Sequence, residues 1–408
     1  MPDRPRTANP FRVLIVHKNF RRFWTGQTIS LMGTWMQQVG QGWLALELSN
    51  DPFMVGLVAA AANFPVLLLS LPAGVLADRV PKLRLVMLAQ ALMLLEASTL
   101  FWLVWSGNIT MVWLLSLATI HGSLAAVEIP ARQALVADLV GREDLLDAIA
   151  LNSSGFNLAR IVGPSVAAVA IAQWGLAACF GLNAISYLAV LAGLLRIRLP
   201  VREVAKVTMR PIEGILEGLR YIRSTPEILA LVKIAAVFSV CGVPYITLMP
   251  VFARDSLGLG ASGYGTMLTV VGLGALVGAL SLASSAQRVR PGRLLRASSQ
   301  SFGALLLILG AVRTPWLAAV VLFFAGMAMI LNNATTNGML QTRSPDAFRG
   351  RVMSVYSFVF IGFSPLGSFV GGAIARWVGA EVAIAAGGAV MLMYANWAYR
   401  TRPELQQL

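Results

Sequence analysis

Apolar stretches of helical-span length, separated by short polar breaks, recur from one end of this chain to the other. A bilayer core about 30 Å thick asks for roughly 20 apolar residues per crossing. In lipid, only a helix or a closed barrel keeps its backbone polar groups paired. Twelve such runs stand at 24–48, 53–77, 84–106, 109–136, 148–172, 175–196, 228–252, 262–286, 294–312, 315–338, 352–375 and 379–399. Composition agrees: of 408 residues, 57% are hydrophobic and 12% charged, too little polar surface for a soluble domain. The expected fold class is an all-α membrane protein with twelve transmembrane helices.

A net charge of +14 would ordinarily point to nucleic acid. Its placement points to a membrane instead. Segments 1–22, 78–84, 132–147, 196–227, 288–296, 343–351 and 400–402 hold 27 of the 32 Lys and Arg. The alternate breaks hold only Arg254, Arg313 and Arg376, while Arg160 and Lys233 fall within apolar runs. By the positive-inside rule both termini are cytoplasmic, and the expected location is the inner (cytoplasmic) membrane. The first 22 residues end on "NFRRFW" with no small-residue cleavage site, so no removable signal peptide is expected. Cys179 and Cys241 lie in apolar runs and are expected to be free buried thiols, with no metal site.

Residues 199–226 form the long interior polar stretch and divide the spans into halves, 1–198 and 227–408. Within it, "PIEGILEGLRYIR" spaces its apolar residues as an amphipathic helix lying on the membrane face. The halves read as repeats. At an offset of 209, Gly56 meets Gly265 and "RVPKLRL" meets "RVRPGRL"; at 204, Gly163 meets Gly367. The position of Asp78 is then Gln287, so chemistry carried by Asp78 is asymmetric between the halves. Gly274-x-x-x-Gly278 and Gly367-x-x-x-Gly371 carry small residues at the spacing that lets membrane helices approach closely.

The stretch "GVLADRVPKLR" from Gly74 resembles the Gly-x-x-x-Asp-Arg-x-Gly-Arg-Arg/Lys loop motif of the major facilitator superfamily, with Pro81 at the second glycine. The longer run "EIPARQALVADLVGREDLLDAIALNSSGFNLARIVGPSVAA" resembles the enterobactin-type siderophore exporter group of that superfamily. The resemblance implies two pseudo-symmetric six-helix bundles, alternating access, and spans 1, 4, 7 and 10 around a central cavity. It also implies efflux of a siderophore-like or drug-like molecule by proton antiport. Arg79, Lys82 and Arg84 serve as topogenic charges; Asp78 is expected to pair with Arg132 as a gate. Gly163 and Pro164 are expected to pack helices.

Polar side chains inside spans supply the other candidates. In span 1, Gln37, Gln41 and Trp35 either face the cavity or bond to another helix, because an amide in lipid costs several kcal/mol. Asn332, Asn333 and Thr336 of span 10 and Tyr245 of span 7, where Pro244 and Pro250 bend the chain, are further cavity candidates. Glu96, His121, Glu128 and Arg160 are ionisable groups in apolar runs, which are functional by default. His121, an imidazole and so the side chain whose ordinary pKa lies nearest neutral pH, is either a proton relay or a structural hydrogen bond between helices; Glu96, on span 3, is expected to be structural. Arg160 lies roughly 20 Å along its span from Asp147, and Glu128 roughly 15 Å from Asp138. These heights make a Glu128–Arg160 pair the expected coupling element, with Arg132, one turn from Glu128, as the rival partner.

No catalytic set emerges: there is no G-x-x-x-x-G-K-[ST], no G-x-S-x-G, and the two histidines, His17 and His121, are far apart. A secondary transporter without a cofactor is expected, monomeric, working with a small molecule, protons and lipid. A non-transporting sensor or scaffold, an importer and a uniporter of the same fold are the alternatives.

Overall fold

The computed structural model describes residues 11–141, 143–197, 211–285 and 289–406, and among these no strand occurs. Gln287, linker residues 199–210 and the side chain of Asp78, with its expected pairing to Arg132, lie outside the described residues.

Among the described residues, eleven helices are long and apolar enough to cross a membrane. They follow a longer, more polar one, α1 (Lys18–Ser49). In the first half these are α2 (Pro52–Arg79), α3 (Lys82–Trp105), α4 (Met111–Val140), α5 (Leu145–Trp174) and α6 (Ala177–Leu194). The second half has α7 (Pro226–Ser256), α8 (Ala261–Ser285), α9 (Pro291–Ala311), α10 (Pro315–Arg343), α11 (Phe348–Val378) and α12 (Ala380–Thr401). At 32 residues α1 reaches about 48 Å, enough to cross. Its buried Gln27, Thr28, Ser30, Gln37 and Gln41 are what make it more polar than the rest.

Local chemistry sets the ends. Asp51 caps α2 by accepting the Phe53 amide at 2.9 Å, and Thr110 caps α4 through the Trp113 amide. Proline opens α2, α7, α9 and α10, where its missing N–H costs nothing. Gly175 and Gly379, 204 residues apart, end α5 and α11 with φ of +79° and +87°, a backbone that favours glycine. In α7 the π turns Phe238–Gly242 and Phe252–Ser256 flank Pro244 and Pro250. Pro244 cannot donate to Val240, and the freed carbonyl lies against Gly367 of α11, where an added Cβ would come within 2.6 Å.

Trp102, Trp105, Trp113, Trp174, Trp316 and Trp377 are all exposed, and all stand at the helix ends opposite the basic loops. That is an aromatic belt at a membrane interface. The bundle thus has a basic end and a far end.

The two halves differ in contact along this axis. Toward the far end one apolar cluster runs through both, including Trp43, Phe180, Tyr245, Phe252, Tyr264 and Leu309. At the basic end there are two clusters, one around Phe20, Leu135 and Tyr187 and the other around Leu295, Leu340 and Val352. Across the halves, α2 packs on α11 and α5 on α8. A Cβ on Gly56 would stand 2.5 Å from the Ser368 carbonyl and 3.0 Å from the Gly372 Cα. Phe53 meets Phe369 edge-on at 5.3 Å, and Asp51 reaches Arg376 at 3.6 Å.

The linker helix (Pro211–Ser224) docks on the second half at the start of α11: Tyr221 stacks on Phe348 at 4.4 Å and Glu217 pairs with Arg351 at 3.0 Å.

Candidate functional site

Inside the first half, α1, α3, α4 and α6 enclose a set of polar side chains with no access to lipid. Gln37 is 1% exposed, Glu96 and Glu128 4%, and Asn183 0%. Gln37 Nε2 donates to both oxygens of Glu96, at 3.0 and 3.2 Å, and its Oε1 accepts Asn183 Nδ2 at 2.6 Å. Ser186 Oγ donates to Asn183 Oδ1 at 3.1 Å. The donors all run one way, from α6 through α1 to the carboxylate on α3. The Glu96 carboxylate is the acceptor at the end of that run. On its other side, Glu96 Oε2 lies 3.3 Å from His121 Nδ1 on α4.

A second carboxylate sits nearer the basic end of the same half. Glu128 Oε1 accepts Arg132 Nε at 2.8 Å and Gln90 Nε2 at 3.1 Å. Tyr187 of α6, its hydroxyl buried near Thr34 and Asn183, lies within electrostatic reach of both glutamates. Buried carboxylates this well paired hold their place against a large desolvation cost. They also link four helices through groups that can gain or lose a proton.

The second half has the same scaffold without the charge. Asn332 Nδ2 donates to Ser299 Oγ at 2.6 Å. At the repeat offsets of 204 and 209 these are the positions of Glu128 and Gln90. The positions of Gln37, Glu96 and His121 are Ile246, Leu305 and Ala325.

The Transmembrane secretion effector model, a major facilitator family, matches residues 8–407. The chain belongs to that family. Among curated proteins this transporter is 26% identical over 352 residues to the staphyloferrin A transporter of Staphylococcus aureus, covering 85% of the chain and 87% of that protein. It is also 26% identical over 355 residues to the enterobactin exporter EntS of Escherichia coli, covering 85% and 82%. Its fold matches a bacterial homolog to the human lysosomal transporter Spinster, inward-facing and unoccupied, with TM-score 0.73, 15% identity and 99% of both chains covered. It also matches a D-xylose-proton symporter, with TM-score 0.74, 13% identity, and 96% and 99% covered.

Within this major facilitator chain the expected Glu128–Arg160 pair does not form. Although the two helices are consecutive in the chain, α4 packs chiefly on α2 and α3, and α5 on α1 and α8. Glu128 therefore takes the rival, Arg132, one helical turn away, where i,i+4 side chains meet. That leaves the Nε of Arg132 committed to Glu128. Pro130 between them does not interrupt α4.

Of the span 1 candidates, Gln37 faces Glu96 instead of a cavity, and Trp35 sets its ring edge-on to Phe156 of α5 at 5.9 Å. Gln41 is buried, its Nε2 unpartnered among the described residues. Gly163 faces the backbone of α1, where a Cβ would lie 2.5 Å from the Trp35 Cβ, and Pro164 presents its carbonyl to Gly265 of α8. On α10, Asn332 bonds within its own half, Asn333 is half-buried, and Thr336 has a buried, unpartnered hydroxyl. Tyr245 is buried and directs its hydroxyl to Met329 Sδ at 3.8 Å.

In the loop motif, Gly74 meets nothing within 4 Å and Arg79 and Arg84 are exposed. Lys82 pairs with Asp138 of α4 at 2.7 Å. Sequence reasoning passed over Gln90, Asn183, Ser186 and Asp138. The signal for the first two was present, since a lone amide in an apolar run needs a partner inside the protein.

Proposed function

We propose that this transporter exports a small amphipathic molecule, siderophore-like or drug-like, in exchange for protons. In this reading α1 spans the bilayer too, giving twelve spans in the halves 1–198 and 227–408 joined by 199–226. The basic end is cytoplasmic, with both termini on that side of the inner membrane. The single far-end cluster and the two basic-end clusters then correspond to a state closed outside and parted inside, ready to load from the cytoplasm.

The observation that carries proton coupling is the buried Glu96 hub. A proton on Glu96 Oε2 turns an acceptor into a donor facing His121 Nδ1, so the carboxyl no longer receives both Gln37 bonds. Gln37 rides on α1, and α1 packs its Trp43 ring on Tyr264 of the second half at 6.2 Å. A protonation event inside one half is thereby tied to the contact that closes the far end. In a two-state carrier, such an event shifts the balance by its differential energy in the two states.

Everted membrane vesicles with an acid lumen test this. A panel of siderophores, lipophilic cations and sugars should include compounds accumulated only while the gradient lasts, each addition raising lumenal pH. Accumulation indifferent to the gradient removes proton coupling; accumulation only in right-side-out vesicles reverses the direction.

A further inference from the structure

Among the described residues, one guanidinium midway along a span has no carboxylate within ion-pair distance. Arg160 stands midway along α5 (Leu145–Trp174), its Nε buried and unpartnered among the described residues. Glu128, the carboxylate that might have served it, is committed to Arg132 and Gln90. The group in electrostatic reach of Arg160 is the neutral hydroxyl of Tyr245 on α7, which is held only by the weak acceptor Met329 Sδ.

The position is as informative as the missing partner. Descending from the far end, α5 meets α8 at Ala168 and Pro164 against Gly265, at Ser165 with Thr269 (3.1 Å), and at Arg160 and Ile161 against Gly272. Toward the basic end from there, α5 shows exposed Phe156, Ser154 and Ser153. Of these three approaches, the one at Arg160 is nearest the end where the apolar clusters of the halves are separate.

A guanidinium midway along a membrane helix with no carboxylate partner is costly to hold there. Buried polar atoms almost always have partners. A planar fork of donors that lacks one is matched by a planar oxyanion. We infer that Arg160, with Tyr245 beside it, is the subsite that takes a carboxylate of the transported molecule, so that the cargo is an anionic amphiphile. This rests on the transporter reading above and narrows its substrate class.

The test uses the purified full-length chain in detergent. Thermal unfolding is followed against matched probes: benzoate, naphthalene-2-carboxylate and benzene-1,3,5-tricarboxylate, each beside its uncharged amide. Carboxylates should raise the wild-type midpoint more than their amides. In Arg160→Gln the apparent carboxylate affinity should fall by about tenfold or more, and Arg160→Lys should retain part of the preference. Without probe, Arg160→Gln should melt at or above wild type, because an unpaired buried charge is gone; a residue that holds helices together would lower it.

Equal stabilisation by acid and amide in wild type, or an undiminished preference in Arg160→Gln, overturns the subsite. If that happens while gradient-driven export persists in vesicles, only the subsite falls. If the carboxylate preference holds and no gradient-driven export is found, the anion site stands and proton coupling falls.

Discussion

Replacing Glu96 separates a titrating role from a scaffolding one. The carboxylate receives Gln37 Nε2 at 3.0 and 3.2 Å and faces His121 Nδ1 at 3.3 Å. Glu96→Gln keeps the shape, still accepts from Gln37, and can donate its new amide to His121. It should cost about one interhelical bond, on the order of 0.6 kcal/mol. Glu96→Leu loses all three contacts, about 2 kcal/mol at the same value each, and leaves the Gln37 amide and a histidine nitrogen buried without partners. Orphaned polar groups cost roughly 1–3 kcal/mol each, so the total is closer to about 2–6 kcal/mol, partly offset by the apolar surface of leucine.

The expected order of melting is wild type, then Glu96→Gln, then Glu96→Leu. The expected transport pattern is different: both variants lose gradient-driven accumulation, while Glu96→Gln still exchanges labelled for unlabelled substrate across vesicles with no gradient. Adding Gln37→Leu to Glu96→Leu should recover part of the lost stability, a coupling that a double-mutant cycle reads directly. Full gradient-driven transport by Glu96→Gln refutes the coupling argument. Equal melting of Glu96→Gln and Glu96→Leu refutes the bonding argument beneath it.

Three further outcomes are expected. Gly56→Val places a side chain against the α11 backbone and should force the far end apart, so that a cysteine at the buried position of Tyr264 becomes reactive to impermeant thiol reagents; unchanged reactivity means that this crossing is not a gate. A cysteine at Thr314 should be labelled from outside intact cells and one at Val289 should not, and the reverse pattern inverts the topology. Lys82 and Asp138 are 29% and 27% exposed, so Asp138→Asn should shift stability by no more than about 1 kcal/mol; turnover should nevertheless fall, and unchanged turnover would reduce the pair to a surface contact.

The helices were legible because each is a local property of the chain. Apolar run length placed the second-half core at 228–252, and the helix there is Pro226–Ser256. Charge counts along the breaks separated the two ends of the bundle before any coordinate did. What was not legible is adjacency. Helical spacing gives the heights of Glu128 and Arg160 but not that their helices pack elsewhere, and it gives Glu96 as a structural residue without showing that it joins α1, α3 and α4. The one interaction that sequence spacing did hold, Arg132 with Glu128 at i,i+4, is the one that depends only on helical geometry.

The repeat gives an internal control for why these charges exist. Asn332 and Ser299 occupy the positions of Glu128 and Gln90 and are bonded at 2.6 Å, so the same helix pair is held there without a carboxylate. Leu305, Ala325 and Ile246 stand where the first half has Glu96, His121 and Gln37. The second half shows that this architecture can be built from apolar side chains and neutral amides at those places. Apolar packing is often as stabilising as a buried ion pair, or more so. The first half therefore carries a desolvation cost that the scaffold does not require, and the property its residues have and the apolar ones lack is the capacity to bind and release a proton. Transferring the charge is then the sharper test of that argument. Leu305→Glu should lower stability in the second half, because neither Ile246 nor Ala325 can donate to the new carboxylate, and it should restore no coupling to a Glu96→Gln background. Recovered coupling would mean that the position alone, without its Gln37 and His121 partners, suffices.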